Sequence, residues 1–109
     1  MKIQHIPIGT IDWSSIPAVV QNGETGTATA RTQDLRDIRI RLVRYGGGYK
    51  ADHWCAKGHI IHVLAGSLVI EHEDQTRHVL KPGTSWHAPD QGLPHRVVCE
   101  SGADVFIVD

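Results

Sequence analysis

The feature that most constrains this chain is a rhythm. Apolar residues come in short alternating runs, broken by Gly, Pro or Asp about every eight to twelve residues. Alternation places successive side chains on opposite faces of a strand, and breaks at that spacing mark an all-β sandwich or barrel. No long stretch carries the i, i+3, i+4, i+7 pattern of an amphipathic helix. With 109 residues the chain has the length for one domain and one core. The expectation is a single all-β domain, with residues 1–22 as an N-terminal arm and residues 23–109 as the barrel.

Strands are predicted over 25–32, 38–42, 59–64, 67–73, 76–80, 84–88, 95–100 and 103–108, with an extended piece over 52–55. In the second of these, Ile38, Ile40 and Leu42 are expected inward and Arg39 and Arg41 outward. Gly46-Gly47-Gly48 reads as a turn; a phosphate-cradling loop would need a helix after it, and none is visible. In the arm, Asp12 or Ser14 can cap a short helical turn, with Trp13 packing onto the barrel.

Charge narrows the partners. A net charge of −1 with scattered Lys and Arg offers no footprint for a phosphate backbone, so no nucleic-acid partner is expected. There is no apolar leader at the start and no window long and apolar enough for a membrane span, so no membrane partner and a cytoplasmic location are expected. Cys55 and Cys99 are too few for a disulfide-built scaffold. They read as free thiols or ligands, with a Cys55–Cys99 bridge as the outcome in an oxidising environment.

Eight histidines stand out against three Trp, two Tyr and one Phe. Strand phase sorts them. His53 and Cys55 share a side of the extended piece, His59 shares a face with Ile61 and Val63, and His95 with Val97 and Cys99. If these faces are interior, His53, Cys55, His59 and His95 converge. Imidazole and thiolate together suit a divalent metal ion, zinc first, with iron or another transition metal behind it. The plain alternatives are surface histidines beside turns, and cysteines that fill the core. His62, His72, His78 and His87 fall on the opposite phase and read as surface or dimer-face residues.

At these residues the chain resembles the cupin superfamily. Asp52-His53-Trp54-Cys55, then Lys57-Gly58-His59 and Val63-Leu64-x-Gly66, looks like the first cupin motif, His-x-His, Glu and a later Gly. Gly83, Pro89, Gly92 and His95 look like the second motif with one residue inserted, and Cys99 stands where that motif has Asn. The Asp-His-Trp-Cys tetrad, Pro94-His95-Arg96 and Phe106-Ile107-Val108-Asp109 are similar to the small single-domain DHCW-motif cupin-fold proteins. The resemblance spans about residue 23 to residue 109.

It implies a double-stranded β-helix, an RmlC-like jelly-roll barrel, and dimerisation through edge strands as a homodimer. It also places His59 at the usual Glu position and Cys55 at a usual His position. As a thiolate, Cys55 would restore the count of three neutral ligands and one anion. A thiolate beside an oxygen-activating iron would risk oxidation, which weakens an oxygenase reading. Trp86, Asp90 and Arg96 lie near the barrel mouth in the family's arrangement, as ligand-binding candidates or, for Asp90 and Arg96, a structural ion pair.

Three functional readings follow. The first is a small metal-binding cupin that holds a small molecule, sugar-like or carboxylate, in its barrel. The second is a metal-dependent enzyme of isomerase or oxygenase type with an open metal position. It needs a general base, and no interior carboxylate is evident once His59 stands where Glu would. The third is a metal-free barrel with a buried histidine cluster.

Overall fold

The structure, a computed structural model, describes residues 3–109; the first two residues of the expected arm lie outside it. A 3-10 turn, Trp13–Ser15, is followed by ten strands. They are β1 (Val19–Asn22), β2 (Thr27–Leu35), β3 (Ile38–Tyr45), β4 (Tyr49–Lys50) and β5 (His59–Gly66). Then come β6 (Leu68–His72), β7 (Arg77–Leu80), β8 (Ser85–Ala88), β9 (His95–Cys99) and β10 (Ala103–Val108). One sheet runs β1-β2-β3-β10-β5-β8 and the other β4-β9-β6-β7, and all pairs are antiparallel. This is the all-β jelly-roll barrel expected. Among the described residues no helix is long and apolar enough to cross a membrane.

The inner faces follow strict alternation: Leu68 and Ile70 of β6, Ile61 and Val63 of β5, Ala103, Val105 and Ile107 of β10 are all buried. With Val43, Tyr45, Leu80, Cys99 and the small Ala28 and Ala30 they form one core. The turns carry the backbone that alternation cannot. Gly66 ends β5 at φ +72°, where an added Cβ would run into the Gly102 carbonyl oxygen. The triple glycine is a turn, its Gly48 N–H donating to Cys99 and Glu100 carbonyls.

The 3-10 turn is capped as expected. Asp12 Oδ1 accepts from Ser14 N–H at 3.1 Å, and Trp13 meets Phe106 edge-on with ring centroids 6.4 Å apart. Arg31 fastens this arm, donating from Nη1 to the carbonyls of Trp13 and Ile16. Within the span read as the arm, Val19–Asn22 forms a strand paired with β2.

The phase of β3 is the reverse of the expected one. Val43 and Tyr45 are the buried residues of this strand, so the matching positions Arg39 and Arg41 face the interior. Ile38, Ile40 and Leu42 face outward and are half-buried, and Ile40 lies in a crevice with Ile11, Trp13, Ile16 and Phe106. Both faces of β3 are covered, so its apolar face did not have to be the inner one.

Candidate metal centre

Three segments bring the candidate donors together. Cys55 lies in the connection before β5, clipped to β9 by a reciprocal pair of hydrogen bonds: Cys55 N–H to the His95 carbonyl at 2.8 Å, and His95 N–H to the Cys55 carbonyl at 2.9 Å. His59 opens β5 and His95 opens β9, both on the inner face. Gly58 sets the start of β5. Its N–H donates to Asp90 Oδ1 at 2.8 Å, and a Cβ there would come within 2.7 Å of the Asp90 backbone nitrogen.

One ligand atom from each of Cys55, His59 and His95 lies within 4.8 Å of the other two, and this group could hold a metal ion. The Cys55 Sγ to His59 Nε2 distance is 3.7 Å. Tetrahedral bonds of about 2.3 Å to sulfur and about 2.0 Å to nitrogen would place those atoms about 3.5 Å apart. The imidazoles of His59 and His95 meet edge-on with centroids 5.2 Å apart.

His53, expected as a fourth ligand, is not in the group. The chain bends at Asp52 and His53, and within 52–55 only Cys55 pairs with β9, so the alternation that puts His53 and Cys55 on one side does not run through this piece. The His53 side chain is 75% exposed and its Nδ1 sits 2.7 Å from Asp52 Oδ1.

The residue that sequence reasoning missed is Asp109. It has the phase of Ala103, Val105 and Ile107 and so enters the interior, where its side chain is fully buried. Its Oδ1 accepts from Arg39 Nε at 2.9 Å. Its Oδ2 accepts from Arg39 Nη2 at 2.8 Å, from Arg41 Nη2 at 2.9 Å and from His59 Nδ1 at 3.0 Å. Burial pushes this carboxyl up, but the Arg39 hydrogen bonds and the charges of Arg41, Arg39 and His59 outweigh it and hold the group at about 2.

An ionised carboxylate only accepts, so this contact requires the proton on His59 Nδ1 and leaves the Nε2 lone pair toward Cys55. Burial holds the pKa of both His59 and His95 below the ordinary histidine value, so both are neutral, ligand-ready imidazoles at neutral pH. The Cys55 sulfur accepts from Lys57 N–H at 3.4 Å. Among the described residues, buried Nδ1 of His95 and Nε of Arg41 have no hydrogen-bond partner.

The other histidines divide. His62 bonds Ser85 Oγ at 2.8 Å on the outside, and His87 is exposed. His72 and His78, expected at the surface, instead face inward: β6 buries Leu68, Ile70 and His72 in one phase. His72 Nδ1 donates to the Pro94 carbonyl at 2.9 Å and its Nε2 lies 3.1 Å from His78 Nε2. Trp86 packs behind His95 with centroids 4.7 Å apart, on the side of this pair.

Asp90 is taken up by Gly58, and Arg96 bonds Glu71 at 2.6 Å and stacks 4.2 Å over Trp54, so the expected Asp90–Arg96 pair does not form. Of the three residues expected at the mouth, Arg96 lines a cavity of about 410 Å³ that also reaches Cys55, His59 and His95. Tyr45 and Tyr49, with centroids 4.9 Å apart, form one of its walls. Both cysteines are free thiols; Cys99 is core, its Sγ 3.5 Å from the Ser67 carbonyl.

Comparison with solved structures finds the same architecture repeatedly. An RmlC-like cupin from Shewanella frigidimarina superposes with a TM-score of 0.74 at 14% identity, over 96% of this chain and 92% of that one. The polyketide cyclase RemF from Streptomyces resistomycificus gives 0.76 at 20% identity, over 94% and 78%. A cupin-superfamily sugar phosphate isomerase from Silicibacter pomeroyi gives 0.70 at 20% identity, over 92% and 74%. No family model and no curated protein matches the sequence.

Proposed function

This barrel has the cupin fold, and from that premise we propose that it is a metal-binding cupin that holds a small molecule in its cavity, with Cys55, His59 and His95 as the protein ligands. The observation that carries the proposal is the convergence of one thiol and two neutral imidazoles, one of them held in its metal-ready tautomer by a buried carboxylate. The donor set of one sulfur and two nitrogens favours zinc.

Three protein donors would leave a coordination position open to water or to a ligand oxygen. A metal so held acts as a Lewis acid or activates water. The chain's own residues do the rest. Asp109 orients His59, Lys57 N–H supports the sulfur, and the Tyr45–Tyr49 wall shapes the cavity. Binding is favoured over catalysis because the interior carboxylate is a poor base: Asp109 titrates at about 2 and is already occupied by two guanidiniums and an imidazole. The cyclase and isomerase among the structural neighbours support the fold and lend no reaction to this chain.

Elemental analysis of untagged protein tests the reading. One zinc per chain is expected in the wild type and in His53→Ala, and loss of the metal in Cys55→Ala and His95→Ala. Wild-type protein that holds well under one metal per chain after zinc loading overturns it. Loss of metal in His53→Ala would restore the four-ligand centre expected from the motif.

A further inference from the structure

The interior of this barrel carries more positive charge than its own carboxylates balance. Arg39 and Arg41 both face the cavity, and they share a single buried carboxylate, Asp109. Arg39 uses Nε and Nη2 in a fork on it; Arg41 reaches it through Nη2 alone, and its buried Nε has no partner. A guanidinium has five N–H donors, so most of Arg41's hydrogen-bonding capacity has no protein acceptor. Lys57 and Arg96 also line the cavity.

The nearby anions do not close the balance. Asp52 is 62% exposed and paired with His53, Glu71 is shared by Arg96 and Arg77, and Asp34, across the β2–β3 pair from Arg39, is exposed to solvent. Asp109 neutralises one of the two inward guanidiniums. The other is left facing a concavity with low-dielectric walls, where an unbalanced charge attracts a mobile anion more strongly than at an open surface. The Arg41 side chain is 15% exposed and that of Arg39 is 35% exposed, so a ligand in the cavity can reach both.

The geometry points to a small organic carboxylate as the cavity's ligand, its carboxylate accepting from the free N–H groups of Arg41 and Arg39. The placement rests, for the ligand's second contact, on the open metal position proposed above. Asp109 Oδ2 touches both Arg41 Nη2 and His59 Nδ1, so the guanidinium stands one carboxylate away from a metal-facing imidazole. A short acid would reach from the guanidinium toward that position and offer it a second oxygen. The planar fork of a guanidinium matches a carboxylate. The tyrosine wall suits a short carbon skeleton, which inorganic phosphate lacks.

The test titrates malonate, its neutral diamide and inorganic phosphate into the protein by calorimetry, with and without zinc, measuring zinc content on the same samples. Malonate is expected to bind at least tenfold more tightly than the diamide or phosphate. Arg41→Gln and Arg39→Gln are each expected to weaken it about tenfold or more, with Arg44→Gln, on the outer face of β3, leaving it unchanged. Equal binding of malonate and diamide, which needs no variant, overturns the proposal, as does tighter binding of phosphate. Zinc-loaded protein whose malonate affinity ignores both arginine variants sinks the carboxylate site and leaves the metal centre standing. Protein that takes up no zinc yet binds malonate through Arg41 sinks the metal centre and keeps the carboxylate site.

Discussion

Asp109→Asn removes one negative charge and little volume, which makes it a direct probe of the interior network. In the wild type the carboxylate faces three donors on Oδ2 and one on Oδ1. An amide offers one accepting oxygen and turns a donor toward either an arginine or His59. Two inward guanidiniums are then left without a counter-charge. Breaking a buried ion pair costs about 3–5 kcal/mol, and the lower end applies here because Arg39 is 35% exposed and keeps part of its hydration.

A second route gives a similar size: lowering the carboxyl from 3.8 to about 2 on folding corresponds to about 2.5 kcal/mol. Asp109→Asn should therefore lose about 3 kcal/mol in urea denaturation, or roughly 12–20 °C in Tm for a domain of this size. The same change frees the His59 tautomer, so zinc affinity should fall about 10- to 100-fold in a chelator competition. A stability loss below about 1 kcal/mol together with unchanged zinc affinity would refute both the electrostatic role and the orienting role.

Three further outcomes can be measured. His59 and His95 have lowered folded-state pKa values, so the unfolded chain binds more protons as the pH falls below 6.5; metal-free protein should be at full stability above 6.5 and lose it progressively below, as urea midpoints across pH will report. Asp109, also lowered, adds a second loss as pH falls from 3.8 through about 2, and Asp109→Asn should abolish that step. Gly58→Ala places a methyl against the backbone of Ala88, Pro89 and Asp90 and should cost about 1–3 kcal/mol in the same assay, weakening zinc binding through the neighbouring His59; an effect within about 0.3 kcal/mol would show that the 88–90 loop gives way freely.

The strand pattern was legible because most strands bury one face, and there alternation is the fold. β5, β6, β9 and β10 run close to the positions alternation assigns, and with them His59, His95 and Cys99 land on the inner face. Errors arose where one of two assumptions fails. The stretch around His53 bends and makes no continuous ladder, so phase carries no information there, and His53 stands outside the group of Cys55, His59 and His95. β3 is covered on both faces, so its apolar row belongs under the arm and its arginines inside.

Asp109 could have been found from the phase of Ala103, Val105 and Ile107 carried one step further. Only its partners, Arg39 and Arg41, make a buried carboxylate tenable, and the apolar alternation of β3 taken alone sets these on the outer face. His72 was open to the same reading through Leu68 and Ile70.

The inverted phase of β3 also changes what the arm is for. Ile40 of its apolar outer row lies in a crevice under a single layer of chain, held by the Trp13–Phe106 contact and by Arg31's grip on two carbonyls. Such a layer can peel away by local opening at far less than the free energy of global unfolding. Opening there would bare Ile40, close to an edge strand, β1, whose Val19 and Val20 are already exposed. Protease nicking of the arm should therefore precede loss of the barrel, which limited proteolysis followed by mass spectrometry will check.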